Sequence, residues 1–158
     1  MTQKTLITLL VDRSASMRPR VPRTVSALNE YVDSLRGRAG DARISLVGFS
    51  STGLSPQLII EKVFVAEPLD TVRPLTTTDL ACDGGTPLLA TIWQTVHAVM
   101  DSLRGRTDVK PVIVIQTDGE ENTSHLIRVA DTDGMEKLGV SHPDEDGAQR
   151  GQRRVLRG

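Results

Sequence analysis

Two kinds of hydrophobic spacing alternate along the chain. Thr5-Leu6-Ile7-Thr8-Leu9-Leu10-Val11 is apolar on both faces, as a central parallel strand must be when helices cover both sides of its sheet. Val21, Val25, Leu28, Val32 and Leu35 then recur at alternating spacings of four and three, which predicts an amphipathic helix from Val21 to Leu35. Pro19 and Pro22 lie at its start, where a missing N–H is harmless, and Gly37 offers a stop. Ala42 to Ser50 reads as a second strand, with Ile44, Leu46, Val47 and Phe49 apolar. Gly53 and Pro56 mark a turn. Leu58 to Val65 reads as a third strand, antiparallel to the second and at the sheet edge. Its charged pair Glu61-Lys62 discourages pairing with another edge. Glu67 to Cys82 is irregular and rich in threonine. A second helix is expected from Thr86 or Pro87 to Leu103, with Leu89, Ile92, Val96, Val99, Met100 and Leu103 as its apolar stripe. Val112 to Gln116 is the fourth strand. This order of elements predicts an α/β fold: a doubly wound, mostly parallel central sheet of Rossmann-like type, with helices on both faces and one antiparallel edge strand.

Beyond Ser124 the periodicity stops. Ile127, Val129, Met135, Leu138 and Val140 are scattered among Asp, Gly, Arg and Pro, and Arg150 to Arg157 is a basic, solvated stretch. The expected organisation is one domain over residues 1–124 and a divergent tail over 125–158, disordered or only partly ordered. A chain of 158 residues suits one domain with a sizeable core. The formal net charge of -1 argues against a nucleic-acid-binding protein. Cys82 is the single cysteine, so no intrachain disulfide can form. Leu6 to Val11 is too short for a signal segment or a membrane span, which leads to the expectation of a soluble, cytoplasmic protein without a membrane partner.

The chemistry sits where the strands end. Asp12-Arg13-Ser14-Ala15-Ser16 follows strand one, Gly84-Gly85-Thr86-Pro87 precedes the second helix, and Thr117-Asp118-Gly119-Glu120-Glu121-Asn122 follows strand four. In a doubly wound sheet, strands one and four lie side by side and ligands bind at their carboxyl ends, so these segments are expected to meet. They supply carboxylates and hydroxyls, hard oxygen ligands that suit Mg²⁺ or Mn²⁺ rather than Zn²⁺. His97, His125 and His142 lack the spacing of a zinc site, and no cysteine pair is present to help. Asp131-Thr132-Asp133-Gly134 lacks the later acidic positions of a calcium loop and reads as a turn. Taken singly, Asp12, Ser14 and Ser16 could cap a helix, and Thr86 before Pro87 could do the same. Glu120 and Glu121 read as solvated loop acids.

Together the three segments resemble the metal-ion-dependent adhesion site of von Willebrand factor type A domains, and the run from Thr117 to Thr123 is similar to bacterial intracellular members of that family. The resemblance implies a metal held by Asp12, Ser14, Ser16, Thr86 and Asp118: the two serines and the threonine in contact, the two aspartates directly or through water. Neutral hydroxyls leave such an ion electrophilic, so it would attract an Asp or Glu carboxylate from a protein partner. The implied function is divalent-metal-dependent protein binding, not catalysis. The alternatives are a Mg²⁺-dependent phosphate-ester hydrolase and a truncated scaffold without metal-dependent binding. The hydrolase needs a second acid two residues after the first, and Ser14 stands there. Lys4, Lys62, Lys110 and Lys137 all lie away from the three segments, and no P-loop, dinucleotide fingerprint or G-x-S-x-G elbow is present. The family usually continues with further helices and strands after the second aspartate. A shortened ending would leave strand four as an exposed sheet edge, inviting self-association.

Overall fold

The computed structural model describes residues 3–38, 40–52 and 57–119. Within them β1 (Lys4–Asp12), β2 (Ala42–Ser51), β3 (Leu58–Pro68) and β4 (Val109–Gln116) form one sheet in the order β3-β2-β1-β4. β1 runs parallel to both β2 and β4, whereas β2 and β3 are antiparallel. The helices are α1 (Val21–Leu35) and α2 (Leu88–Ser102). The doubly wound, mostly parallel sheet with one antiparallel pair is therefore the architecture that the alternating periodicities predict. The divergent tail expected over 125–158 lies outside the described residues, and so does any strand beyond β4.

Alternation along β1 divides the core between the two faces. Ile7, Leu9 and Val11 point to one face, where they pack with Val25, Leu28 and Val32 of α1. Leu10 points to the other, with Val47, Phe49 and Leu88 at the start of α2. Leu9 and Leu10 are both fully buried, and each such side chain contributes about 1.5–3 kcal/mol. This double-sided burial is why the strand reads as a continuous apolar run and why its end is held rigidly.

α1 spans the predicted residues and stops at Arg36, with Gly37 taking the positive φ of +72° that ends the helix. Three local features differ from the sequence expectation. Ala15–Arg20 forms a 3₁₀ turn that periodicity does not show, and Thr77–Leu80 forms another within the segment read as irregular. α2 is capped by Pro87, without a side-chain cap, so Thr86 lies before the helix instead of capping it. The buried residues of α2 are Ala90, Thr91, Trp93 and Thr95, while Met100 of the predicted stripe is 66% exposed. Its buried face is thus made of small residues around Trp93, and its other large apolar side chains are only partly buried. A groove of ≈ 600 Å³ between α2 and the sheet is lined by Leu6, Val47, Ile60, Val65 and Val99 among others. It reaches the Leu6 end of β1 and not the Asp12 end.

Candidate metal site at the carboxyl ends of the strands

Val11 and Gln116 are register partners, so the two strands end together and place Asp12 beside Thr117, one residue before Asp118. Asp12 is 1% exposed. A buried carboxylate needs donors, and both its oxygens have one. Oδ1 accepts the Ser14 N–H at 2.8 Å and Oδ2 accepts the Thr117 hydroxyl at 2.7 Å. The first of these bonds folds the loop back on the strand end. The 3₁₀ turn then begins at once, with Ser14 at its N-cap and the Met17 N–H donating to the Ser14 carbonyl. Ser16 is therefore in the turn, and its Oγ lies 3.0 Å from Ser14 Oγ.

Main-chain bonds tie three distant loops at this point. Arg13 N–H donates to the Phe49 carbonyl, Asp83 N–H to the Arg13 carbonyl, and Ala15 N–H to the Gly84 carbonyl. Ser51 and Gly85 exchange N–H to carbonyl bonds in an isolated bridge. Gly84 has φ +76°, and a Cβ there would stand 1.8 Å from the Ser51 carbonyl oxygen, so only glycine fits. The bridge presents Thr86, fully buried, at the same end of the sheet.

Arg13 was not singled out by sequence reasoning. Its side chain lies over Gly48, donates from Nε to the Ala81 carbonyl at 2.8 Å, and pairs through a guanidinium nitrogen with Glu61. It thereby links the metal-type loop to β3 and to the segment leading to Thr86. The absence of a side chain at Gly48 was the available signal. Thr117 and Arg20 were also missed. Thr117 orients Asp12, as described. Arg20 donates to the Ser16 carbonyl at 3.1 Å and lies 3.6 Å from Asp118 Oδ2, whose side chain is 7% exposed. A threonine at a strand end facing an aspartate across the register could have marked the first. The second depends on a turn that periodicity does not show. Near the site, Cys82 is half-buried, and that burial pushes its thiol pKa up, which keeps it an unreactive neutral group. α1 starts at Val21 as the sequence predicts, five residues beyond Ser16 and after the 3₁₀ turn.

The donor set fits a small, hard divalent cation. Ligands at about 2.1 Å on neighbouring vertices of an octahedron stand about 3.0 Å apart, which is the spacing of the two serine hydroxyls. Carboxylates at two adjacent strand ends supply the charge. Among the described residues no group of three or more His, Cys, Asp or Glu comes together, so hydroxyls must complete any such site. No helix among the described residues is long and apolar enough to cross a membrane.

A sequence model of the von Willebrand factor type A domain matches residues 7–141. The chain belongs to this family. VWA domains often bind metal ions and proteins. No curated protein matches the chain, but solved structures do. The pilus adhesin SpaC from Lactobacillus rhamnosus GG, in its open conformation, is 20% identical with a TM-score of 0.53, over 76% of this chain and 15% of the adhesin. Proximal thread matrix protein 1 from the mussel byssus, with a zinc-occupied MIDAS motif, is 19% identical with a TM-score of 0.53, over 89% of this chain and 36% of that protein. At such identities the likeness is one of fold. The VWA chain spans well under half the length of these relatives.

Proposed function

We propose that this VWA domain is a divalent-metal-dependent protein-binding module. Asp12, Ser14, Ser16, Thr86 and Asp118 hold the cation, Mg²⁺ or Mn²⁺, and an Asp or Glu of the partner completes its coordination. The observation that carries the reading is the pair of serine hydroxyls at 3.0 Å, spaced like neighbouring ligands on an octahedron and set beside the buried Asp12. The zinc-occupied MIDAS motif of the mussel protein is in keeping with a metal at this place in the fold.

Each residue has a defined task. Asp12 is oriented by the Ser14 N–H and the Thr117 hydroxyl, so no reorganisation of the carboxylate is needed on binding. Ser14 and Ser16 offer neutral oxygens. Asp118 brings the second negative charge. When bound, the cation supplies an underneutralised Lewis-acidic centre that attracts an external carboxylate. The binding reading is preferred to hydrolysis because the position two residues after Asp12, where a general acid would stand, is Ser14, which is hydrogen-bonded to Ser16.

A thermal-melt titration with Mg²⁺ and Mn²⁺, wild type beside Asp12→Ala, tests the reading. A ligand that binds the native state alone stabilises it by about 2.7 kcal/mol at a hundredfold excess over Kd. The expected result is a metal-dependent rise in Tm that the variant loses. A wild-type melt that ignores both ions refutes the metal site.

A further inference from the structure

On the α1 side of the candidate metal site a cavity of ≈ 400 Å³ opens between the 3₁₀ turn, the first half of α1 and the end of β4. Its walls include Arg20, Arg23, Thr24, Thr117 and Asp118. Two guanidinium groups beside a cation site weaken its hold on a cation, because like charges repel at short range. Their placement makes sense for an anion that arrives once the cation is there. Asp12 and Asp118 together with Arg20 and Arg23 carry no net formal charge. With a divalent cation held, the same cluster carries two positive charges. Arg20 is engaged by Asp118 at 3.6 Å and by the Ser16 carbonyl at 3.1 Å. Arg23 is exposed and forms no ion pair among the described residues.

We propose that this cavity is a second anchor for the partner: Arg20 and Arg23 take an acidic side chain next to the one that completes the metal site. The docking element is then a short acidic protein segment carrying two carboxylates, not a lone Asp or Glu. The inference rests on the metal-bridged reading above and deepens it. Once Asp118 is committed to the cation, its hold on Arg20 weakens and the guanidinium turns to the incoming carboxylate. A cavity of ≈ 400 Å³ falls within the range of small-ligand pockets and has room for a carboxylate side chain. The fork of an arginine matches a carboxylate bidentately.

The experiment is an NMR titration of the ¹⁵N-labelled full chain in Mg²⁺ at low salt, with two capped tetrapeptides, one carrying a single glutamate and the other two. Wild type is compared with R20Q/R23Q and with R23Q alone, the latter keeping the Arg20 contacts intact should the double variant fold poorly. The expected result is roughly fivefold tighter binding of the two-glutamate peptide than of the one-glutamate peptide, an exposed-pair effect. In R20Q/R23Q the ratio falls to about two, the statistical value for two equal carboxylates, whatever the change in the affinity of the one-glutamate peptide itself. In R23Q the ratio is intermediate. A wild-type ratio near two overturns the proposal and leaves the metal bridge standing. If neither peptide binds better in Mg²⁺ than in chelator, the metal-bridge reading itself fails, and this proposal with it. A ratio unchanged by both variants places the second acid elsewhere and overturns the assignment to Arg20 and Arg23.

Discussion

Gly48→Ala should destabilise this protein through a single side chain, Arg13. A Cβ at residue 48 would stand 2.2 Å from Arg13 Cδ and 3.2 Å from its Cγ. The contact is in the middle of the side chain, so the whole arginine must leave its place. Its side chain is 13% exposed and holds the Ala81 carbonyl at 2.8 Å together with Glu61. A hydrogen bond from a charged donor contributes about 1.5–3 kcal/mol. The pair with Glu61, which is largely exposed, adds less than about 1 kcal/mol. The displaced guanidinium recovers hydration, so the net cost is about 2 kcal/mol. In a domain of this size that corresponds to a drop in Tm of roughly 4–8 °C. The decisive assay is a double-mutant cycle with Arg13→Ala, followed by chemical denaturation. Gly48 has no positive φ among the backbone outliers, so without Arg13 the alanine meets no obstacle. In that background Gly48→Ala should be neutral or stabilising by about 0.5–1 kcal/mol, since alanine loses less backbone entropy than glycine. A cost of similar size in both backgrounds would refute the reasoning, because the clash would then not be with Arg13.

Other outcomes follow from single contacts. Thr117→Val, which removes the donor to Asp12 Oδ2, should weaken Mn²⁺ affinity about 10–100-fold with little change in the metal-free Tm; titration by electron paramagnetic resonance reads the loss. Gly84→Ala should cost more than about 2 kcal/mol, because a positive φ and a Cβ 1.8 Å from the Ser51 carbonyl oxygen act together. Gly105→Ala, at the same φ of +76° but with open space around it, should cost only about 1–2 kcal/mol in the same denaturation assay. Asp79 is held well below the usual carboxylate range, first by its hydrogen bond to Arg73 and further by the Thr76 N–H and hydroxyl. A depressed carboxyl pKa stabilises the fold above the unfolded value of about 4 and loses that contribution as pH falls below it. Asp79→Asn should therefore lower Tm at neutral pH, and the gap to wild type should close below about pH 4; a gap that stays constant into acid would count against the pairing.

The sheet was legible because its strands carry their environment in their composition. β1 is apolar at consecutive positions because it is buried on both faces, and β3 carries Glu61 and Lys62 because it is an edge. α1 was legible to the residue, since a single stripe facing one core cluster fixes its phase. α2 was placed but its facing was not. Beside Trp93, its buried positions are Ala90, Thr91 and Thr95, small residues that a reading weighted towards large apolar side chains passes over. The candidate ligands were legible because each stands directly after a strand or before a helix. The residues that position them were not. Arg13, Thr117 and Arg20 act through turns and cross-loop bonds, which have no period to read.

The knot of main-chain bonds linking Arg13, Ala15, Phe49, Ser51, Asp83, Gly84 and Gly85 has a consequence for the time course of folding. Every one of those bonds joins segments remote in sequence, and Asp118 comes to the site only once β4 has paired with β1, so the full cradle needs long loops closed first. The cradle for a cation is then one of the last things to form. A cation that recognises only the finished cradle lowers the native state without lowering the barrier to reach it. Mg²⁺ should accordingly slow unfolding and leave the refolding rate untouched, making the ion a latch on the completed domain and not a nucleus for it.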